Sequence, residues 1–256
     1  MSIAVALVGA TLLGAPALAA EPTPSELEGV TVVERLGERV DPSIVLVDQD
    51  GRERSLEQLL RGDRPVLLTF NYYTCQTLCS LQLNALMTGL KQLDWTMGQD
   101  FDVLTVSFDP RDTTAVANGK RQSYLADYGR DLADWTFTTG DPAQVQALAD
   151  AVGFSFRYDA ETDQWAHPAA LVFLAPDGTV ARYLYGLQYE PRDLEFALME
   201  AAEGRLGSPV DKLIFSCFQY DESVGDYAPA AFRVMRIGGA ATVVGLGSLT
   251  FFLYRR

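Results

Sequence analysis

The chain has 256 residues, 48% of them hydrophobic, and a formal net charge of -14, with 3 cysteines and 1 histidine. So acidic a surface repels phosphates, which excludes nucleic-acid partners. The cysteine and histidine counts are too low for a disulfide scaffold or a Cys/His zinc array. The length suffices for one domain of ordinary size plus extra segments.

Residues 1–20, MSIAVALVGATLLGAPALAA, are apolar and end in small residues; Ala17-Leu18-Ala19 fits an A-x-A cleavage site, although no Lys or Arg precedes Arg35. The segment reads as an export signal. Residues 21–39 read as a lead-in, polar and Pro-containing over 21–29, and a domain is expected over 40–205. It opens with IVLVD (44–48), which runs into the turn signal Gln49-Asp50-Gly51. Ser55 with Gln58 makes a capping-box pattern, so a short helix follows. PVLLTFNYY (65–73) is continuously apolar and β-prone, the mark of a strand buried on both faces. Leu78, Leu81, Leu86, Leu90 and Leu93 predict a helix from about 77 to 93, with Met87 in the core.

FDVLTVSFD (101–109) predicts a second buried strand, and residues 110–129 a loop and then a helix capped near Asp112 or Thr113. WTFTTG (135–140) predicts a short strand. DPAQVQALADAVG (141–153) has Asp at the N-cap, Pro at N1 and a closing Gly, and predicts a helix. FSFRYD (154–159) predicts a strand, and residues 169–186 two strands around Pro176-Asp177-Gly178. A last helix is expected over 190–204. Strands and helices alternate until a hairpin and a helix close the domain. That order predicts an α/β fold, a mixed sheet with helices on both faces.

Residues 206–233 read as a juxtamembrane connector and 234–254 as a transmembrane helix. Ile237 to Tyr254 are 18 residues without a charge, which at about 1.5 Å each nearly span a hydrocarbon core of about 30 Å. Tyr254 suits the interface and Arg255-Arg256 favour a cytoplasmic end. The expected arrangement is a single pass in a bacterial inner membrane, with the globular domain on the exported, periplasmic side.

Two of the cysteines lie in NYYTCQTLCSLQL (71–83), where a strand is predicted to end and a helix to begin. Functional loops of α/β sheets lie at that edge. A helix N-terminus favours the thiolate, which both binds metal and attacks disulfides. Cys75 and Cys79, if they form the first helical turn, project from one face and could clamp one ion. Two thiolates make an incomplete cage for zinc but suit Cu(I), with a third ligand from elsewhere. The chain's one imidazole is His167, in DQWAHPAALVFL. Metal binding, thiol–disulfide exchange and a structural disulfide all remain open on the residues alone.

Taken together, the strand, Cys-x-x-x-Cys, helix, and a distant His ahead of a PDG hairpin resemble the SCO/SenC family. VSFDPRDT (106–113) is similar to a family stretch, and LVDQDGRERSLEQL to its opening hairpin and first helix. The resemblance covers roughly residues 40–203. It implies a thioredoxin-like fold and a copper site of two Cys and one His, here Cys75, Cys79 and His167. It further implies a role in assembling the copper-A site of cytochrome c oxidase. The oxidase subunit that carries that site would be the partner, and the C-terminal helix the membrane tether. The alternative activity is a thiol-disulfide oxidoreductase that reduces the oxidase cysteines, with Cys75 and Cys79 as the redox dithiol. A peroxiredoxin-type peroxidase is a third class, for which a second cysteine so near the first is atypical.

The chain departs from the family pattern C-P-x-x-C-P: Gln76 and Ser80 stand where prolines occur. Many members are anchored at the N-terminus rather than the C-terminus. A trans His167–Pro168 bond is expected, the default even before proline. Asp109 and Asp112 read as a strand-end turn and a helix cap, and Tyr72 and Tyr73 as packing or site wall. Asp159, Asp163 and Gln164 are neighbours that could orient the His167 ring. Cys217 could be a further soft ligand, an exchange partner, an interchain link, or a thiol packed among Phe215, Phe218 and Tyr220.

Overall fold

The computed structural model describes residues 29–74 and 78–205, together with Gly239, Thr242, Ser248, Phe251, Leu253 and Tyr254. The expected signal segment (1–20), the connector (206–233), Cys75 and Cys217 lie outside the described residues, as does the side chain of Cys79. Most of the expected membrane helix lies outside them too; the described positions from 239 to 254 are helical. Among the described residues no helix is long and apolar enough to cross a membrane.

Strands β1 (Val45–Asp48) and β2 (Glu53–Ser55) form the opening hairpin, and helix α1 (Leu56–Leu60) follows directly. Ser55 and Gln58 close a reciprocal capping box, as their spacing predicts. Then come β3 (Val66–Asn71), α2 (Leu78–Leu90), β4 (Asp102–Ser107), α3 (Thr114–Tyr128), β5 (Thr136–Thr139) and α4 (Pro142–Ala151). A small hairpin, β6 (Arg157–Asp159) and β7 (Gln164–Ala166), precedes β8 (Ala170–Leu174), β9 (Val180–Tyr185) and α5 (Pro191–Ala202). Thr113 caps α3 and Asp141 caps α4 through their side chains.

The sheet runs β2-β1-β5-β4-β3-β8-β9. Its centre, β3, β4 and β5, is parallel, while β1 and β8 pair antiparallel to its two sides. Side chains alternate across it with period two. Val66, Leu68, Phe70, Leu104 and Val106 point to one face, where Val145, Leu148 and Leu56 of α4 and α1 cover them. Leu67, Val103, Leu171 and Phe173 point to the other, under Leu83, Leu86 and Met87 of α2, Tyr124 of α3 and Leu198 of α5. Every residue of β3 and β4 is therefore buried, which explains why both segments are rich in Val, Leu and Phe without a polar face. Met87 is core, as expected.

Two expectations need correcting. Residues 154–159 do not form one strand of the main sheet. Phe154 makes only an isolated bridge with Val32, and β6 pairs with β7 in a separate two-stranded sheet. Phe154 instead packs its ring on Phe70 beneath the main sheet, and only Arg157–Asp159 form ladder bonds, to β7. Asp112 is not a cap either, since Thr113 holds that position. Residues from 31 to 39 of the lead-in are bound to the domain, with Val33 N donating to Gly153 O and Gly37 N to Val180 O.

Candidate metal centre

The parallel strands β3 and β4 end at the same edge, Asn71 opposite Ser107. Strand β8 enters the sheet at that edge, antiparallel to β3, its register closing at Thr69 opposite Leu171. The chain leaving β3 towards Cys75 and the chain arriving at β8 from His167 are therefore neighbours. Sheet topology, not sequence proximity, brings the cysteine arm and the histidine arm to one place. The described part of α2 begins at Leu78, one residue before Cys79.

His167 is 6% exposed. Its ring sits 5.2 Å from the ring of Phe108 and 6.3 Å from those of Tyr72 and Phe154. Behind them Phe108 stacks on Phe156, and Trp165 packs edge-on against both. This aromatic wall fixes the imidazole in one orientation. Its Nδ1 lies 3.1 Å from the carbonyl of Pro168. A carbonyl only accepts, so Nδ1 is the donor in this contact, and in the neutral ring the lone pair that ligation needs is then on Nε2. Among the described residues no peptide bond is cis, so His167–Pro168 is trans. Of the neighbours considered for orienting the ring, Asp159 accepts from Glu161 N and Thr162 Oγ1, and Asp163 from Arg111 and Tyr158. The Pro168 carbonyl takes that part instead.

The two tyrosines divide. Tyr72 belongs to the wall. Tyr73 turns to the opposite face, 2.6 Å from Thr138 O and 3.0 Å from Thr105 O. Burial, and then the nearby Asp112 charge, push its phenol well above the ordinary value, so it stays protonated.

The loop between β4 and α3 supplies the charged part of the site. Asp109 turns back on Arg111, accepting from its Nε at 2.9 Å and its Nη2 at 2.8 Å. Burial pushes the Asp109 carboxyl up, but the Arg111 hydrogen bonds outweigh it and the net shift is downward. Arg111 Nη1 continues to Asp163 Oδ1 at 2.7 Å, in the β6–β7 turn. Asp112 is buried, and its Oδ2 accepts from Tyr73 N at 2.5 Å and from Ser107 Oγ at 2.6 Å. Burial raises the Asp112 pKa, and those two hydrogen bonds only partly offset it. The local Asp109–Arg111 turn is legible in DPRD; the Asp112–Tyr73 bond, across 39 residues of chain, has no signal in the sequence.

Among the described residues no cluster of three His, Cys, Asp or Glu side chains could hold a metal ion. The thiols of Cys75 and Cys79 lie outside that set, and His167 is a buried imidazole within it. The architecture is that of a thioredoxin-like α/β protein whose sequence puts a cysteine pair where β3 gives way to α2, with a histidine in the segment that enters the adjoining strand β8.

The SCO1/SenC family model matches residues 33–201, about two thirds of the chain. The chain belongs to the SCO1/SenC family. A protein of Aquifex aeolicus VF5, provisionally described as an electron transfer protein, is 30% identical with a TM-score of 0.57 over 66% of this chain and 95% of its own. BsSco, a member of the Sco family of cytochrome c oxidase assembly proteins, is 24% identical with a TM-score of 0.52 over 67% and 98%. Yeast Sco1 with copper bound is 20% identical with a TM-score of 0.50 over 70% and 93%. A comparison with curated proteins finds no match.

Proposed function

We propose that this protein is a membrane-tethered copper metallochaperone that carries one copper ion on Cys75, Cys79 and His167. Its acceptor is the cytochrome c oxidase subunit with the copper-A site, met on the periplasmic side. The observation that carries the reading is the buried His167 ring, held by its Nδ1 beside the chain that leads into Cys75 and Cys79. Copper is the cargo. Two thiolates and one imidazole suit Cu(I), and so small a ligand set lets an acceptor thiolate enter before a donor leaves. Family membership supports the oxidase-assembly role, and the uncharged 237–254 segment supports the tether.

The test is anaerobic Cu(I) titration of the reduced full chain against a competing chelator. One equivalent should bind, and His167→Ala should weaken it by more than about 100-fold, since even partners behind a ligand cost about 10–100-fold. Unchanged affinity would remove the histidine from the site. A second reading, thiol-disulfide exchange with the oxidase cysteines, is favoured by the cysteine pair's place after β3. It requires the dithiol but not His167, so reductase activity surviving His167→Ala without tight Cu(I) would establish it.

A further inference from the structure

We propose that the β4–α3 loop, Asp109 to Asp112, is a two-armed clamp that sets the cysteine arm against the histidine arm, with Asp112 and Arg111 as positioning residues. The idea deepens the copper reading and uses only contacts outside the ligands themselves.

One arm is Asp112. Its Oδ2 holds the backbone N–H of Tyr73, two residues before Cys75, at 2.5 Å, and the Ser107 hydroxyl at 2.6 Å. The acceptor is buried, so water does not compete for the Tyr73 N–H. The bond fixes the chain at the point where β3 has ended and its ladder no longer dictates direction. The other arm is Arg111. Asp109, whose side chain is 0% exposed, grips the guanidinium by Nε and Nη2, so the fork is preset. Nη1 then reaches Asp163 in the β6–β7 turn, while the guanidinium carbon stands 5.6 Å above the Tyr158 ring of β6. Strand β7 ends at Ala166, the residue before His167. One short loop thus holds both segments that deliver ligands, from opposite sides.

The two arms differ in strength. The Asp112 contacts are buried, while Arg111 and Asp163 are 51% and 70% exposed. An exposed ion pair adds little stability. Loss of the second arm should therefore change geometry without unfolding, which makes it separable.

The experiment uses the untagged full chain in mild detergent, reduced and metal-free, with thermal midpoints recorded for every variant. For the cysteine arm, N-ethylmaleimide labelling rates of Cys75 and Cys79 are read by peptide mass spectrometry. Asp112→Ala should change the ratio of the two rates at least threefold, and Asp112→Asn, which keeps an acceptor oxygen of the same shape, should restore it to within twofold. Arg182→Ala, which breaks the Arg182–Glu200 pair of β9 and α5, controls for general destabilisation and should leave the ratio alone. For the histidine arm, proton NMR follows the imidazole of the chain's 1 histidine. Arg111→Gln and Asp163→Asn should each shift or split its resonances, with midpoints no lower than that of Arg182→Ala.

The clamp is overturned if Asp112→Asn behaves as Asp112→Ala, which would make the carboxylate's charge its contribution. It is also overturned if Arg182→Ala disturbs the ratio equally, or if the His167 resonances of Arg111→Gln superimpose on those of the wild type. Neither readout needs metal. A chain that fails to bind Cu(I) defeats the copper reading and leaves the clamp to be judged on labelling and NMR.

Discussion

Thr105 is the hub of the polar network beneath the site, and its hydroxyl oxygen is the perturbation of choice. It accepts from Trp135 Nε1 at 2.8 Å and from Thr69 Oγ1 at 2.9 Å, and all three residues are fully buried. Thr105→Val preserves the β-branched shape but leaves two buried donors with no acceptor. Each such orphan costs about 1–3 kcal/mol, against which the added methyl returns about 0.8 kcal/mol of apolar burial. The expected loss is about 1–5 kcal/mol, or roughly 2–20 °C for a domain of this size. Thr69→Val alone removes a donor and leaves Trp135 satisfied, so it should cost about 1 kcal/mol. The double variant then has only one orphan, and should be more stable than Thr105→Val by about 1 kcal/mol. Urea unfolding of the four proteins completes the cycle. A Thr105→Val loss below about 0.5 kcal/mol, or simple additivity in the double variant, would refute the orphaned-donor reasoning.

Two further perturbations test burial and backbone. Asp102 is buried with Arg64 3.8 Å away, and burial raises its pKa above the ordinary 3.8. Between the two values the folded state binds the extra proton, so this group's contribution grows as pH falls from neutrality through the folded pKa. Asp112 acts in the same direction, whereas Asp109, with a lowered pKa, loses stability only as pH falls through its own folded value below 3.8. Thermal midpoints should peak on the acid side of neutrality, and Asp102→Asn should remove part of that rise; a midpoint profile unaltered by the variant would exclude it. Gly129 and Gly153 both have φ of 67°, but an added methyl meets nothing closer than 4.0 Å at Gly129 and sits 1.8 Å from Val33 O at Gly153. Gly129→Ala should cost about 1–2 kcal/mol of left-handed strain, and Gly153→Ala clearly more, because the chain at Val33 must move. Equal losses on denaturant unfolding would count against the contact.

What the sequence determined by itself was local. Ser55 with Gln58, Asp141 with Pro142, and the turn at Pro176-Asp177-Gly178 act within a few residues, so their elements were legible. The two central strands were legible because burial on both faces leaves a β-prone, mostly apolar run with no polar face. The cysteine motif and a lone histidine named the candidate ligands. The tertiary structure decided what lies between distant segments. Residues 164–166 carry no pattern that separates them from a loop, and become β7 only because β6 turns back onto them. Asp112 offers a cap by its position, yet Thr113 takes that place, and the carboxylate reaches instead to Tyr73. A buried N–H at the end of a strand must find an acceptor wherever the fold brings one, and no spacing along the chain records which residue that will be.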